Sequence, residues 1–239
     1  MPRKIRRSLR SGITGASLFL SGILLLSGFL KTHAAPGSLH VPFIPQVATN
    51  WCWAATTAMV LAYEHRSNPH VRALTQCQYV QAWCKKYPDY AVRLWMLDSC
   101  PPSDSGIYYY NFPSTPFVEA LGHTMQERDR VGLTYEELCS EISAGRPVIF
   151  QWKWQGITPL TKGRADWHYL LAEGCPESKY INSPGWVSVH DPWPVNRGKH
   201  RIMSYSEYDN LVPTSLPGSR EFVYTTHGSD YYGITFKGN

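Results

Sequence analysis

The chain of 239 residues lacks the spacings that announce a metal site. Neither C-x2-C nor H-E-x2-H occurs in it, so no metal and no other cofactor is expected. It has no internal repeat, which excludes a solenoid or propeller, and no low-complexity tract, which excludes a long solvated linker. Beyond the first 34 residues no apolar run approaches the roughly 20 residues a bilayer span requires. Acidic side chains are missing from that same N-terminal stretch, whereas six of the 23 basic residues lie in it: Arg3, Lys4, Arg6, Arg7, Arg10 and Lys31. Without the stretch, 17 basic residues face 18 acidic ones, a net charge of −1. The formal +5 of the whole chain therefore belongs to its first residues. It gives no reason to expect nucleic acid or an anionic membrane as a partner.

What is present at the N-terminus is the pattern of an export signal. "MPRKIRRSLR" is basic, "LFLSGILLLSGFL" is a short apolar run broken by Ser and Gly, and "THAA" sets small residues three and one before a cut after Ala34. Arg6 and Arg7 form the pair that twin-arginine signals carry. The expected division is residues 1–34 as a secretory signal peptide and 35–239 as one mature domain, secreted or periplasmic and free of the membrane after cleavage. About 205 residues suffice for one compact domain or two lobes around a cleft, burying roughly 70% of the unfolded surface. An aromatic content of 13% supplies a core. All six cysteines, at 52, 77, 84, 100, 139 and 175, fall in the mature part, where oxidation favours disulfides. Three bridges, or two bridges, a spare and a reactive thiol, are both compatible with the count.

Along the mature chain, "SLHVPFIPQVA" is kept extended by Pro42 and Pro45. Asn50 can cap a helix through "WCWAATTAMVLAYEH", where Ala55, Met59 and Ala62 recur at helical spacing, and this puts Cys52 in the first turn. A second helix is expected in "TQCQYVQAWCKKY". Two turns separate its Cys77 from Cys84 by about 10 Å, too far for a mutual bridge. Residues 87–115 read as a long loop whose "YYY" could line a binding surface or pack beneath it. Thr115 and Pro116 open a predicted helix through "FVEALGHTM". Thr134 and Glu137 form a capping box for "YEELCSEIS", which Gly145 ends. From there "RPVIFQWKW", "WHYLLAEG", "GWVSVHDP", "KHRIMSY" and "REFVYTTHG" read as antiparallel strands. The fold class is α+β, helices first and sheet second.

In this frame Cys52 sits where the unpaired N–H groups of a first helical turn favour a thiolate. A nucleophilic thiol needs an imidazole, and the imidazole needs an orienting acceptor. His168, heading a predicted strand, and Asp191, ending the next one, supply both. Other histidines, chiefly His190, and also His123, His200 and His227, compete for the first role. Asp191 could instead open a turn in "DP". Trp53 is expected in the core, and Trp193 either shields the His–Asp pair or lies on an exposed loop. A tetrahedral intermediate needs a second donor beside the Cys52 N–H, and Gln46, on the extended segment just before the helix, is the candidate.

The order Gln46, Cys52-Trp53, strand histidine, strand-end carboxylate resembles the papain-like cysteine peptidases. More narrowly, "VPFIPQ", "CWAA..AM", "TQCQ", "GRPVI", the histidine strand and "DP" resemble the bacterial branch that includes double-glycine leader peptidases and the avirulence-type effector proteases of plant pathogens. The resemblance covers Val41 to Asp209. It implies a papain-like fold with an N-terminal helical lobe carrying the nucleophile and a C-terminal sheet lobe. It also implies a secreted, monomeric endopeptidase acting on a protein or peptide substrate, with Cys52 as nucleophile, His168 as acid and base, Asp191 as orienter and Gln46 as oxyanion donor. Leader peptidases of this branch are joined to a membrane transporter, which is not seen here. An acyl transferase of transglutaminase type on the same triad, and a catalytically silent binding protein on the same scaffold, are the alternatives. A bridge between Cys84 and Cys100 is expected to close the loop after the second helix, with Cys52 unpaired.

Overall fold

The computed structural model describes residues 37–48, 51–86, 121–155, 166–176, 185–210 and 223–237. The leader, the loop with its tyrosine run, the start of the helix expected at Thr115, and Cys100 with its expected bridge to Cys84 lie outside them. Four helices are described, α1 (Cys52–His65), α2 (Gln76–Lys86), α3 (Tyr135–Ser143) and α4 (Tyr205–Asn210). Six strands accompany them: β1 (His123–Arg128), β2 (Val148–Gln155), β3 (Asp166–Gly174), β4 (Trp186–Asp191), β5 (Lys199–Ser204) and β6 (Val223–Phe236). The strands form one antiparallel sheet in the order β1-β6-β2-β3-β4-β5.

Strand periodicity decides which core each residue enters. In β2, Val148, Phe150 and Trp152 join Leu170 and Ala172 of β3 in a core closed by Leu138 and Ile142 of α3 and Tyr208 of α4. The intervening Ile149, with Tyr169 and Leu171, faces the other way, onto α1 and α2. Helix α1 is therefore a buried helix: every residue from Cys52 to Leu61 is inside, as a circumference apolar on nearly every side demands. Its two threonines are neutralised locally, Thr56 Oγ1 donating to the Cys52 carbonyl at 3.1 Å and Thr57 Oγ1 to Trp53 O at 2.8 Å. Trp53 is in the core, edge-on to Tyr79 at 5.7 Å.

Local signals and structure agree at α3. Thr134 and Glu137 form the reciprocal capping box, and Gly145 adopts φ 79° after the last turn, the left-handed position glycine takes without steric cost. At α2, Thr75 and Gln78 exchange equivalent bonds of 3.0 and 3.3 Å. Two expectations need correction. Helix α1 has Trp51 at its N-cap with no side-chain cap, while Asn50 lies outside the described residues. "HTM" of the helix expected from Thr115 is strand β1, because Gly122 turns the chain at φ 84° and His123 pairs with Phe236 across the sheet. Tertiary pairing there outweighs local helical spacing.

Cys139 of α3 is bridged to Cys175 just after β3, with Cα atoms 5.6 Å apart. Cys77 is also disulfide-bonded, and Cys52 is a free, buried thiol. The extended segment 37–48 runs along the sheet, Leu39 N–H donating to Glu173 O at 2.9 Å. Gly174 permits that approach, since a Cβ there would collide with the Gly37 carbonyl.

Candidate active site

Strand register explains which side chains meet. Leu171 pairs with His190, so one step along the antiparallel ladder Asp191 stands opposite Leu170, and His168 lies two residues from Leu170 on the same face. Such diagonal neighbours are within reach of each other. His168 Nε2 and Asp191 Oδ1 are 2.7 Å apart, each side chain only 4% exposed. Asp191 Oδ1 also accepts the Trp193 N–H at 3.0 Å, which fixes the carboxylate from the loop side. With Nε2 committed to Asp191, the other imidazole nitrogen is left for the Cys52 sulfur, which hydrogen-bonds the ring. Burial alone would lower the His168 pKa, but the charge and hydrogen bond of Asp191 and the interaction with Cys52 outweigh it and raise it to about 9. The arrangement thus favours an imidazolium beside the sulfur.

His190, one residue from Asp191, projects to the opposite face, as a period of two requires. There its Nε2 donates to Val41 O at 2.9 Å, and burial pushes its pKa down. His123 is paired with Glu64 at 2.5 Å, and His227 with Asp230 at 2.8 Å inside the second core. The side chain of His200 is half-exposed, 3.2 Å from Glu173. None of these four is the histidine joined to Asp191 and Cys52.

Cys52 is the first residue of α1, so its backbone N–H has no partner within the helix. Gln46 is buried and tethered to the loop that follows Asp191: its N–H donates to Pro192 O at 3.1 Å, and its carbonyl accepts the Asn196 N–H at 2.8 Å. One proton of its side-chain Nε2 goes to Ala48 O at 2.9 Å. The amide nitrogen has a second proton to offer, while Oε1 is buried without a partner.

Three neighbours were not singled out from the sequence. Gln76 brackets Gln46 from α2, accepting from Val47 N–H at 3.1 Å and donating to Pro45 O at 2.8 Å. Arg201 reaches Asp191 Oδ2 with Nη1 at 3.7 Å and lies 5.7 Å from the centre of the Trp152 ring, whose residue pairs with His168. Tyr169 is stacked on Tyr231 at 6.2 Å, and its hydroxyl is pushed up by burial and by the nearby Cys52 sulfur. A glutamine in a helix, an arginine in an edge strand and a tyrosine beside a histidine carry no local signal. Only the α2 segment "TQCQ" held a hint.

Residues 38–212 match the model of the Peptidase_C39 like family. Among solved structures the chain is similar to one from Bacillus anthracis described as a C39-like peptidase, at 14% identity and a TM-score of 0.42, over 83% of this chain and 97% of that one. No curated protein matches the chain.

Proposed function

The chain belongs to the Peptidase_C39 like family, the papain-like cysteine peptidases of C39 type, and from that premise we propose that it is an exported endopeptidase working through Cys52, His168, Asp191 and Gln46. The observation that carries the reading is the buried His168–Asp191 pair at 2.7 Å with the free Cys52 thiol against the same ring. Cys52 attacks a peptide carbonyl as the thiolate. The oxygen of the tetrahedral intermediate is received by the Cys52 N–H and the free proton of Gln46 Nε2. The His168 imidazolium then protonates the departing amine, leaving a thioester on Cys52. As a base, the neutral ring next takes a proton from water, which attacks the thioester and releases the acid. Asp191 holds the ring in one orientation and stabilises its charged form throughout. The leader, whose composition supports export, is removed before the protein acts outside the cytoplasm, on a protein or peptide substrate.

Alkylation tests the reading. Iodoacetamide near neutral pH should modify Cys52 far faster than an ordinary thiol, and His168→Ala should remove that advantage. A wild-type chain that labels no faster than its His168→Ala form would make the fold a binding scaffold rather than an enzyme.

A further inference from the structure

On the face of β4 turned away from Asp191 lies a second group of titratable side chains. The β4–β5 register sets His190 directly opposite His200, a relation that brings Cβ atoms to roughly 4.5–5.5 Å. Glu173 joins them from β3, at the step where the β3–β4 ladder slips between Ala172 and Gly174. Irregularities of this kind re-aim a side chain. Glu173 Oε1 is 3.2 Å from His200 Nε2, and Oε2 is 3.8 Å from His190 Nε2. One donor atom from each of the three residues falls within 4.8 Å of the others. Ligands around a tetrahedral zinc ion, bonded at about 2.1 Å, stand about 3.4 Å apart. The two histidine–carboxylate pairs, at 3.2 and 3.8 Å, are already near that spacing, and each side chain is carried by a sheet strand rather than a loop.

Two imidazoles and one carboxylate are a donor set that suits zinc. Access is from one side: Glu173 and His190 are buried, whereas 49% of the His200 side chain is exposed. The group opens into a surface cavity of about 620 Å³ also lined by His40, Val41 and Arg66, with room for an ion and its waters. Glu173 accepts Val41 N–H at 3.1 Å and Ser188 Oγ at 2.9 Å, bonds that orient the carboxylate as outer partners orient metal ligands. His190 Nδ1 is buried without a hydrogen-bond partner and is the nitrogen that keeps the ring proton when Nε2 takes the ion. Coordination through His190 Nε2 replaces the proton now shared with Val41 O. That carbonyl, 2.9 Å from the nitrogen, is left beside the ion as a further oxygen donor.

We propose that Glu173, His190 and His200 bind one zinc ion, which ties Val41, and with it the segment leading to Gln46, to β3, β4 and β5. The donors come from three strands, which is why no metal spacing shows in the sequence. This site stands independently of the peptidase reading.

Cys52, His168 and Asp191 could themselves hold zinc, so the test uses the full chain carrying Cys52→Ala. Titration calorimetry with zinc chloride should show one equivalent bound, and zinc should raise the melting temperature. Cobalt(II) in its place should give the visible absorption of a tetrahedral nitrogen and oxygen site. Adding His200→Ala, which removes a half-exposed ring and leaves the core intact, should weaken binding by more than about 10-fold and abolish the thermal shift. His70→Ala, an exposed histidine elsewhere, should change neither. No zinc bound by the Cys52→Ala chain, or binding undiminished by His200→Ala, would overturn the proposal.

Discussion

Replacing Asp191 by alanine isolates what the carboxylate does for His168. In the wild-type chain the buried imidazole is raised from 6.5 to about 9 against the opposing effect of burial. A group whose pKa is raised on folding stabilises the fold fully below its unfolded value and loses that contribution as pH climbs through the folded one. Here the window runs from 6.5 to about 9, and the contribution is on the order of 3 kcal/mol at about 1.4 kcal/mol per pKa unit. In the proposed mechanism turnover draws on the same proton, because there the imidazolium protonates the leaving amine. The alkaline limb of kcat/KM should therefore lie near pH 9 in the wild type. In Asp191→Ala burial is left with only Cys52 to oppose it, so the limb should move down toward the ordinary histidine range, with a loss on the order of 100-fold in kcat/KM. Asp191→Asn keeps an Oδ1 able to accept from both His168 and the Trp193 N–H, so it should retain the geometry and much of the activity, with a limb between the two. Casein hydrolysis followed across pH 5 to about 10, with melting temperatures at each pH, measures both effects. An Asp191→Ala chain that melts normally and keeps both the wild-type limb and the wild-type rate would refute the role given to Asp191.

Gln46→Ala should fold normally and lose on the order of 100-fold in turnover, since one oxyanion donor contributes about 3 kcal/mol; a collapsed melting temperature with unchanged specific activity would make Gln46 structural. His168→Ala should abolish both turnover and fast alkylation of Cys52, whereas His190→Ala, whose ring faces away, should do neither, as mass spectrometry of the labelled protein would show. Opening the Cys139–Cys175 bridge by substituting both residues with serine should cost about 4 kcal/mol for a closed loop of this length, read by denaturant unfolding, with the alkylation rate of Cys52 unaltered. N-terminal sequencing of exported protein should begin at Ala35 or Pro36, and an intact Met1 on secreted material would contradict cleavage.

The sequence is most readable where local rules decide the outcome. Thr134, Glu137 and Gly145 bound α3 by capping chemistry, and the alternation of β2 and β3 sorts Phe150 and Leu170 from Ile149 and Leu171 before any packing is known. The same alternation makes the His168–Asp191 pair accessible to sequence reasoning, because a strand-head histidine and a strand-end carboxylate on adjacent antiparallel strands fall on one face once the register is right. It also separates His190 from Asp191, although they are neighbours in the chain. What could not be read depends on contacts between distant segments. Strand β1 exists because β6 offers it an edge, and Gly122 alone gave no warning of that. The pairing of Cys139 with Cys175 follows from α3 lying against the end of β3. Gln76 steadies Gln46 from a helix about thirty positions away, and Arg201 reaches Asp191 from the neighbouring strand β5. The Glu173, His190 and His200 group is assembled by register alone.

Whether Cys52 cleaves peptide bonds is read directly by cleavage-site profiling. Denatured cell proteins are incubated with the purified chain and, in parallel, with its Cys52→Ala form, and new peptide amino termini are identified by mass spectrometry. New termini sharing a common sequence preference are expected in the first sample and none above background in the second. The same termini in both samples, or none in either from a chain whose Cys52 alkylates at the rate of an ordinary thiol, would contradict it.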